Sequence, residues 1–118
     1  MNILIIIFSL LVAFLHYYFL ALEMFLWTKP RTIKAFGLKN EAFAKDTKVL
    51  AANQGLYNGF MASGIVFAIL SKNSSTLIFF ITCIIIAGLY GAYSTGKIKL
   101  FYIQSIPAII TLIIILIN

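Results

Sequence analysis

The sequence predicts an all-α membrane protein, a single domain built as a bundle of four transmembrane helices. Three observations carry that expectation. First, 63% of the 118 residues are hydrophobic and only 10% are charged, with a mean hydropathy of +1.07. A water-soluble domain of this size could not cover its surface with so few polar groups. Second, four segments hold the about 20 mostly apolar residues that a span requires: roughly 3–27, 49–70, 76–95 and 100–117. Third, the last three are joined by the short stretches SKNSS and GKIK, so spans 2, 3 and 4 are expected to be antiparallel neighbours. Irregular backbone cannot face lipid, and helices satisfy every backbone group within one segment.

The first span opens with MNILIIIFSLLVAFL and runs on through HYYFLALEMFLW. It has no Lys or Arg before its apolar run and no small-x-small site after it, so it is expected to be retained rather than cleaved as a secretory signal. Pro30 stops it, and Gly37 is expected to break the loop TKPRTIKAFGLKNEAFAKDTK into two short pieces. In that loop Ile33, Phe36, Leu38 and Phe43 alternate irregularly with lysines, a pattern suited to lying on the headgroup region.

Charge orients the bundle. Lys29, Arg31, Lys34, Lys39, Lys45 and Lys48 fall in the first loop and Lys97 and Lys99 in the third, whereas the second holds only Lys72. Basic residues concentrate on the cytoplasmic side, so both termini are expected outside and the long basic loop inside. The net charge of +6 then reflects topology and attraction to membrane lipids with anionic headgroups rather than nucleic acid. One cysteine, Cys83, excludes an internal disulfide framework.

Polar residues gather toward the cytoplasmic side. Glu23 lies about one turn from the inner end of span 1, and His16 lies two turns above it on the same face, roughly 10 Å away. Asn53, Gln54, Tyr57 and Asn58 form an arc in the inner half of span 2. Tyr90 lies toward the inner end of span 3, and Gln104 lies one turn into span 4. Ionisable groups inside a span are costly and mark functional sites. These eight residues are therefore the candidate ligand-binding set, a pocket open to the cytoplasm for a small amphipathic or lipid-like molecule. Glu23 has a plainer reading as the ion-pair partner of Lys48 or Arg31, and a lone buried histidine is ordinarily a packing residue. Ala51, Gly55, Gly59 and Ser63 place a small residue at every fourth position of span 2, with Gly88 and Gly91 in span 3. Such stripes let membrane helices approach closely. Leu56, Phe60 and Phe67 are left to face lipid.

Residue supply excludes several chemistries. One histidine, one cysteine and one intramembrane carboxylate do not make a zinc or iron site, so neither metal nor cofactor is expected. General acid–base work by Glu23 and His16 is unspecific, and no catalytic residue is assigned. A proton-coupled transporter using Glu23, an enzyme using Glu23 and His16, and a purely structural protein compete with the binding reading, and a homo-oligomer is left open.

The stretches LEMFLWTKPRTIKAFGL, KVLAANQGLYNGFMASG and AGLYGAYSTGKIKLFYIQSIPA resemble the small integral membrane proteins of domain-of-unknown-function family 1304. The likeness covers nearly the whole chain. It implies a four-helix protein of the bacterial inner membrane and no reaction. The outline is also similar to the small multidrug resistance transporters, which carry a glutamate in their first helix. Those proteins often lack the charge bias seen here, and their glutamate sits nearer mid-span.

Overall fold

A computed structural model describes residues 1–118. The chain is all helix and turn: α1 (Ile3–Met24), α2 (Pro30–Phe36), α3 (Glu41–Asp46), α4 (Lys48–Leu70), α5 (Ser74–Thr95), α6 (Ile98–Leu100), a π-helical turn (Phe101–Ser105) and α7 (Ile106–Ile117). Three stretches are long and apolar enough to cross a membrane: Ile3–Met24, Ser74–Thr95 and the continuous Ile98–Ile117. Helix α4 matches them in length at 23 residues, but Asn53, Gln54 and Asn58 in its first half lower its apolarity. Length and composition thus support three spans directly.

The chain divides into two compact units, residues 1–13 with 61–118, and residues 14–60. The first has an apolar core of Ile5, Val12, Ala13, Ala62, Ile65, Ala68, Leu77, Ile81, Ile84 and Ala108. The helical period is visible in it: Leu77, Ile81, Ile84 and Gly88 form the buried stripe of α5, at steps of four, three and four residues. Between lipid-solvated helices such stripes associate by close van der Waals fit rather than by the hydrophobic effect. Two glycines set the fit. A Cβ on Gly64 would run into the ring of Phe80, and one on Gly88 into the hydroxyl of Ser105.

The π-helical turn that delivers Ser105 has a cause two residues on. Pro107 has no N–H for the carbonyl of Ile103, and its ring crowds that carbonyl in a regular helix. The turn widens ahead of it, with the Ile106 N–H bonding back to Phe101 O. Ser105, fully buried, donates its hydroxyl to Ile85 O at 2.9 Å. The span predicted to begin at residue 100 therefore carries a local widening that hydropathy does not register.

Short polar signals end the helices. Asn2 and Asn73 accept from the backbone N–H of Ile5 and Thr76, each at 3.0 Å. Gly37 (φ 63°) and Gly96 (φ 71°) adopt the left-handed conformation that closes α2 and α5. Beyond Gly37 the basic segment re-forms as α3, whose cap Asn40 accepts from Phe43 N at 2.8 Å.

Candidate functional site

The second unit brings the end of α1, the basic segment and the start of α4 together around polar contacts. Glu23 is the second-last residue of α1 and is 6% exposed; Asn58 on α4 is 8% exposed. The Asn58 Nδ2 donates to Glu23 Oε1 at 2.5 Å. A short amide side chain reaches across only if the two backbones lie close, and Gly55 and Gly59 supply that approach. A Cβ on Gly55 would stand 2.7 Å from Met24 Cγ, 3.0 Å from Glu23 Cβ and 3.3 Å from the Leu20 carbonyl, and one on Gly59 would stand 2.5 Å from Leu20 Cδ1. The glycines thus position the hydrogen bond as well as the packing.

Around this pair the end of α1 is tied down. His16, 1% exposed, meets the ring of Phe19 edge-on at 5.3 Å. Trp27 lies edge-on to Phe36 of α2 at 5.0 Å and donates its indole N–H to Thr47 Oγ1 at 3.0 Å. Thr47 in turn donates its hydroxyl to Phe43 O of α3 at 2.7 Å. Thr32 on α2 and Ala44 on α3 are buried. The basic segment is therefore a folded part of the unit, anchored at its aromatic and threonine side chains.

The candidate residues differ in burial and fall in both units. Glu23, His16 and Asn58 are buried, and Asn53, Gln54 and Tyr57 are exposed on α4. Tyr57 contacts Phe60 edge-on at 5.9 Å. Tyr90 (exposed) and Gln104 (half-buried) belong to the other unit. Of the packing residues, Ala51, Gly55, Gly59 and Gly88 are buried, Gly91 is half-buried and Ser63 is exposed. Arg31 and Lys48, the alternative partners considered for Glu23, are exposed, and the carboxyl takes the amide of Asn58 instead.

Helix geometry explains why Asn58 and not Asn53 reaches Glu23. At about 100° per residue, Asn58 falls within about 60° of Gly55, on the edge of the small-residue stripe, whereas Asn53 falls about 160° round the helix. That signal was present in the sequence as the overlap of two patterns, the polar arc and the glycine stripe. The Trp27–Thr47 tie had no comparable signal, because it depends on where two short helices place their side chains.

The arrangement offers a desolvated carboxyl–amide pair near the end of an apolar helix, with the buried His16 further up the same helix. No group of three or more His, Cys, Asp or Glu side chains is placed to hold a metal ion. The pair can accept and donate hydrogen bonds to a polar group.

The sequence model of the family described as "Protein of unknown function (DUF1304)" matches residues 10–116, which include every residue of the pair and its surroundings. The chain is also 35% identical over 116 residues to the uncharacterized protein YpaA of Lactococcus lactis subsp. lactis (strain IL1403), covering 96% of this chain and 97% of that one. No solved structure matches it. On the extent of both likenesses, the chain belongs to the DUF1304 family of proteins of unknown function.

Proposed function

We propose that this DUF1304 protein is a four-span protein of the bacterial plasma (inner) membrane, with both termini outside, that binds a small amphipathic or lipid-like ligand. The observation that carries the reading is the buried Glu23–Asn58 pair. A carboxyl in the last turn of an apolar helix is expensive to keep unless it serves a function. Helix α4 supplies the fourth span: its length suffices, and its polar first half falls next to the basic segment. The exposed Asn53, Gln54 and Tyr57 offer polar contacts near the pair, and the basic segment holds the protein against anionic headgroups.

Two experiments test the reading. Topology is read by membrane-impermeant labelling of Lys39→Cys and Asn118→Cys, each in a Cys83→Ala background. The four-span arrangement requires Lys39→Cys to label from the cytoplasm and Asn118→Cys from outside; both on one side rules it out. Binding is read by titrating the full chain in nanodiscs with dodecyl phosphate and dodecylamine, following the fluorescence of the single tryptophan, Trp27. Saturable binding of at least one amphiphile, weakened about tenfold or more by Glu23→Gln, supports the site. Binding that ignores Glu23→Gln, or none at all, refutes it.

A further inference from the structure

A cavity of about 450 Å3 opens between the short helices of the basic segment, and neither the Glu23–Asn58 pair nor the charge bias accounts for it. One wall is apolar, made by Pro30, Ile33 and Leu38; Thr28, Lys34 and Glu41 supply the polar lining. The chain turns round it at Gly37, whose φ of 63° suits a residue without a side chain.

This lining selects its occupant by charge. A purely anionic ligand would satisfy Lys34 and be repelled by Glu41, and a purely cationic one would meet the reverse. A molecule carrying both charges satisfies both. The carboxylate favours a cation with N–H donors, because charge-assisted hydrogen bonds are the strong ones. A quaternary ammonium would call for aromatic faces, and this cavity is lined by none. Glu41 does pair with Lys45 at 3.3 Å, but both side chains are about two-thirds exposed, and such screened pairs are weak enough for a ligand cation to displace. The volume lies in the range of small-molecule sites, and the apolar wall suits the carbon skeleton next to a headgroup.

We propose that this cavity binds a phosphoethanolamine headgroup, with the phosphate on Lys34, the primary ammonium on Glu41 and the glycerol carbons against Ile33 and Leu38. The inference rests on the reading that the basic segment lies on the membrane surface. The apolar wall favours a lipid over a free headgroup as the source.

The test uses the full chain in phosphatidylcholine nanodiscs doped with phosphatidylethanolamine or phosphatidylglycerol. Bound lipid is counted by native mass spectrometry, and Trp27, next in sequence to Thr28 and in ring contact with Phe36, reports occupancy. The expected result is saturable binding of phosphatidylethanolamine, about tenfold tighter than either other lipid. Lys34→Gln and Glu41→Gln should each weaken it about tenfold, as loss of a charged hydrogen bond does, while Lys45→Gln changes it less than about twofold. Equal binding of all three lipids overturns the proposal. So does a preference for phosphatidylglycerol that Glu41→Gln leaves intact, which would indicate simple electrostatic anchoring. Glycerophosphoethanolamine, added as a soluble competitor, separates the sources: displacement at similar concentration supports the headgroup site with a water-soluble ligand, and failure to displace supports the lipid. The Lys39→Cys label reports the topology independently. Cytoplasmic labelling without selective binding removes the headgroup site alone, whereas labelling from outside removes the reading beneath it. Insensitivity to Glu23→Gln separates this cavity from the buried pair.

Discussion

The two units of this chain are held together by different forces. Residues 1–13 and 61–118 enclose an aliphatic core into which Ile65, Leu77, Ile81 and Ile84 are fully buried. The contacts there are numerous, individually small and indifferent to exact angle. Residues 14–60 hold their elements by a few directional bonds: Asn58 to Glu23, Trp27 to Thr47, Thr47 to Phe43. Polar groups withdrawn from water must find partners, so this unit tolerates fewer substitutions at the bonds themselves. The polar unit therefore concentrates its specificity in a few residues, which is where a function is most easily lost.

The largest effect is expected for Asn58→Leu. The volume is nearly kept, but the Glu23 carboxyl is left buried without the amide, and about 3 kcal/mol of stability should go. Thermal unfolding in matched nanodiscs reads this; a loss below about 1 kcal/mol would mean that water already reaches the carboxyl. Glu23→Gln should cost less, because the amide oxygen still accepts from Asn58.

Next in size are the glycines. Gly88→Ala should cost about 2 kcal/mol, since the new methyl meets both the side chain and the backbone nitrogen of Ser105. Gly55→Ala should cost about 1 kcal/mol or a little more, because the new methyl meets Met24 Cγ, which a shift of that side chain can move, with Glu23 Cβ and the Leu20 carbonyl close behind it. If the order is reversed under the same assay, the polar unit is the more tightly packed of the two.

Trp27→Phe removes the bond to Thr47 while keeping an aromatic ring against Phe36, for about 1 kcal/mol. Protease sensitivity of the 29–48 segment should rise with it; an unchanged cleavage rate would show that the segment is held elsewhere.

The smallest effect is expected in the apolar unit. Ser9 is fully buried and its hydroxyl has no hydrogen-bond partner. Ser9→Ala should therefore leave stability within about 0.5 kcal/mol or raise it. A loss greater than about 1 kcal/mol would mean that Ser9 satisfies a group across the core, and that the apolar unit also relies on directional bonds.

How much of this was legible beforehand differs by element. Gly37 marks the end of α2 because it frees the backbone at its own position, whereas Pro30, expected to stop the first helix, stands six residues beyond the end of α1 at Met24 and instead opens α2. The lipid-facing assignment of Leu56, Phe60 and Phe67 agrees with their exposure, since helical period places them about 100° to 140° round α4 from the buried Gly55. The candidate pocket was less legible. The polar arc of span 2 named four residues, but only Asn58 is buried, because burial depends on which face of α4 meets α1. The π-helical turn and Ser105 were invisible for a related reason: Pro107 announces a disturbed helix without saying how the backbone will relieve it.

What the sequence by itself determined is the set of local and compositional facts: helices rather than strands, apolar stretches long enough to cross a bilayer, the charge asymmetry of the loops, and the caps that end the elements. Each follows from a residue's own conformational preference or from a sum over a window. Only the tertiary structure decided that Glu23 takes Asn58, that Trp27 takes Thr47, and that the basic segment folds around a cavity. The two hydrogen bonds depend on distances between residues 20 and 35 positions apart, and the cavity on how residues 28 to 41 fold back on themselves. A difference of one ångström there makes or removes a hydrogen bond, and a pattern along the chain gives the helix face that a residue shares but not that distance.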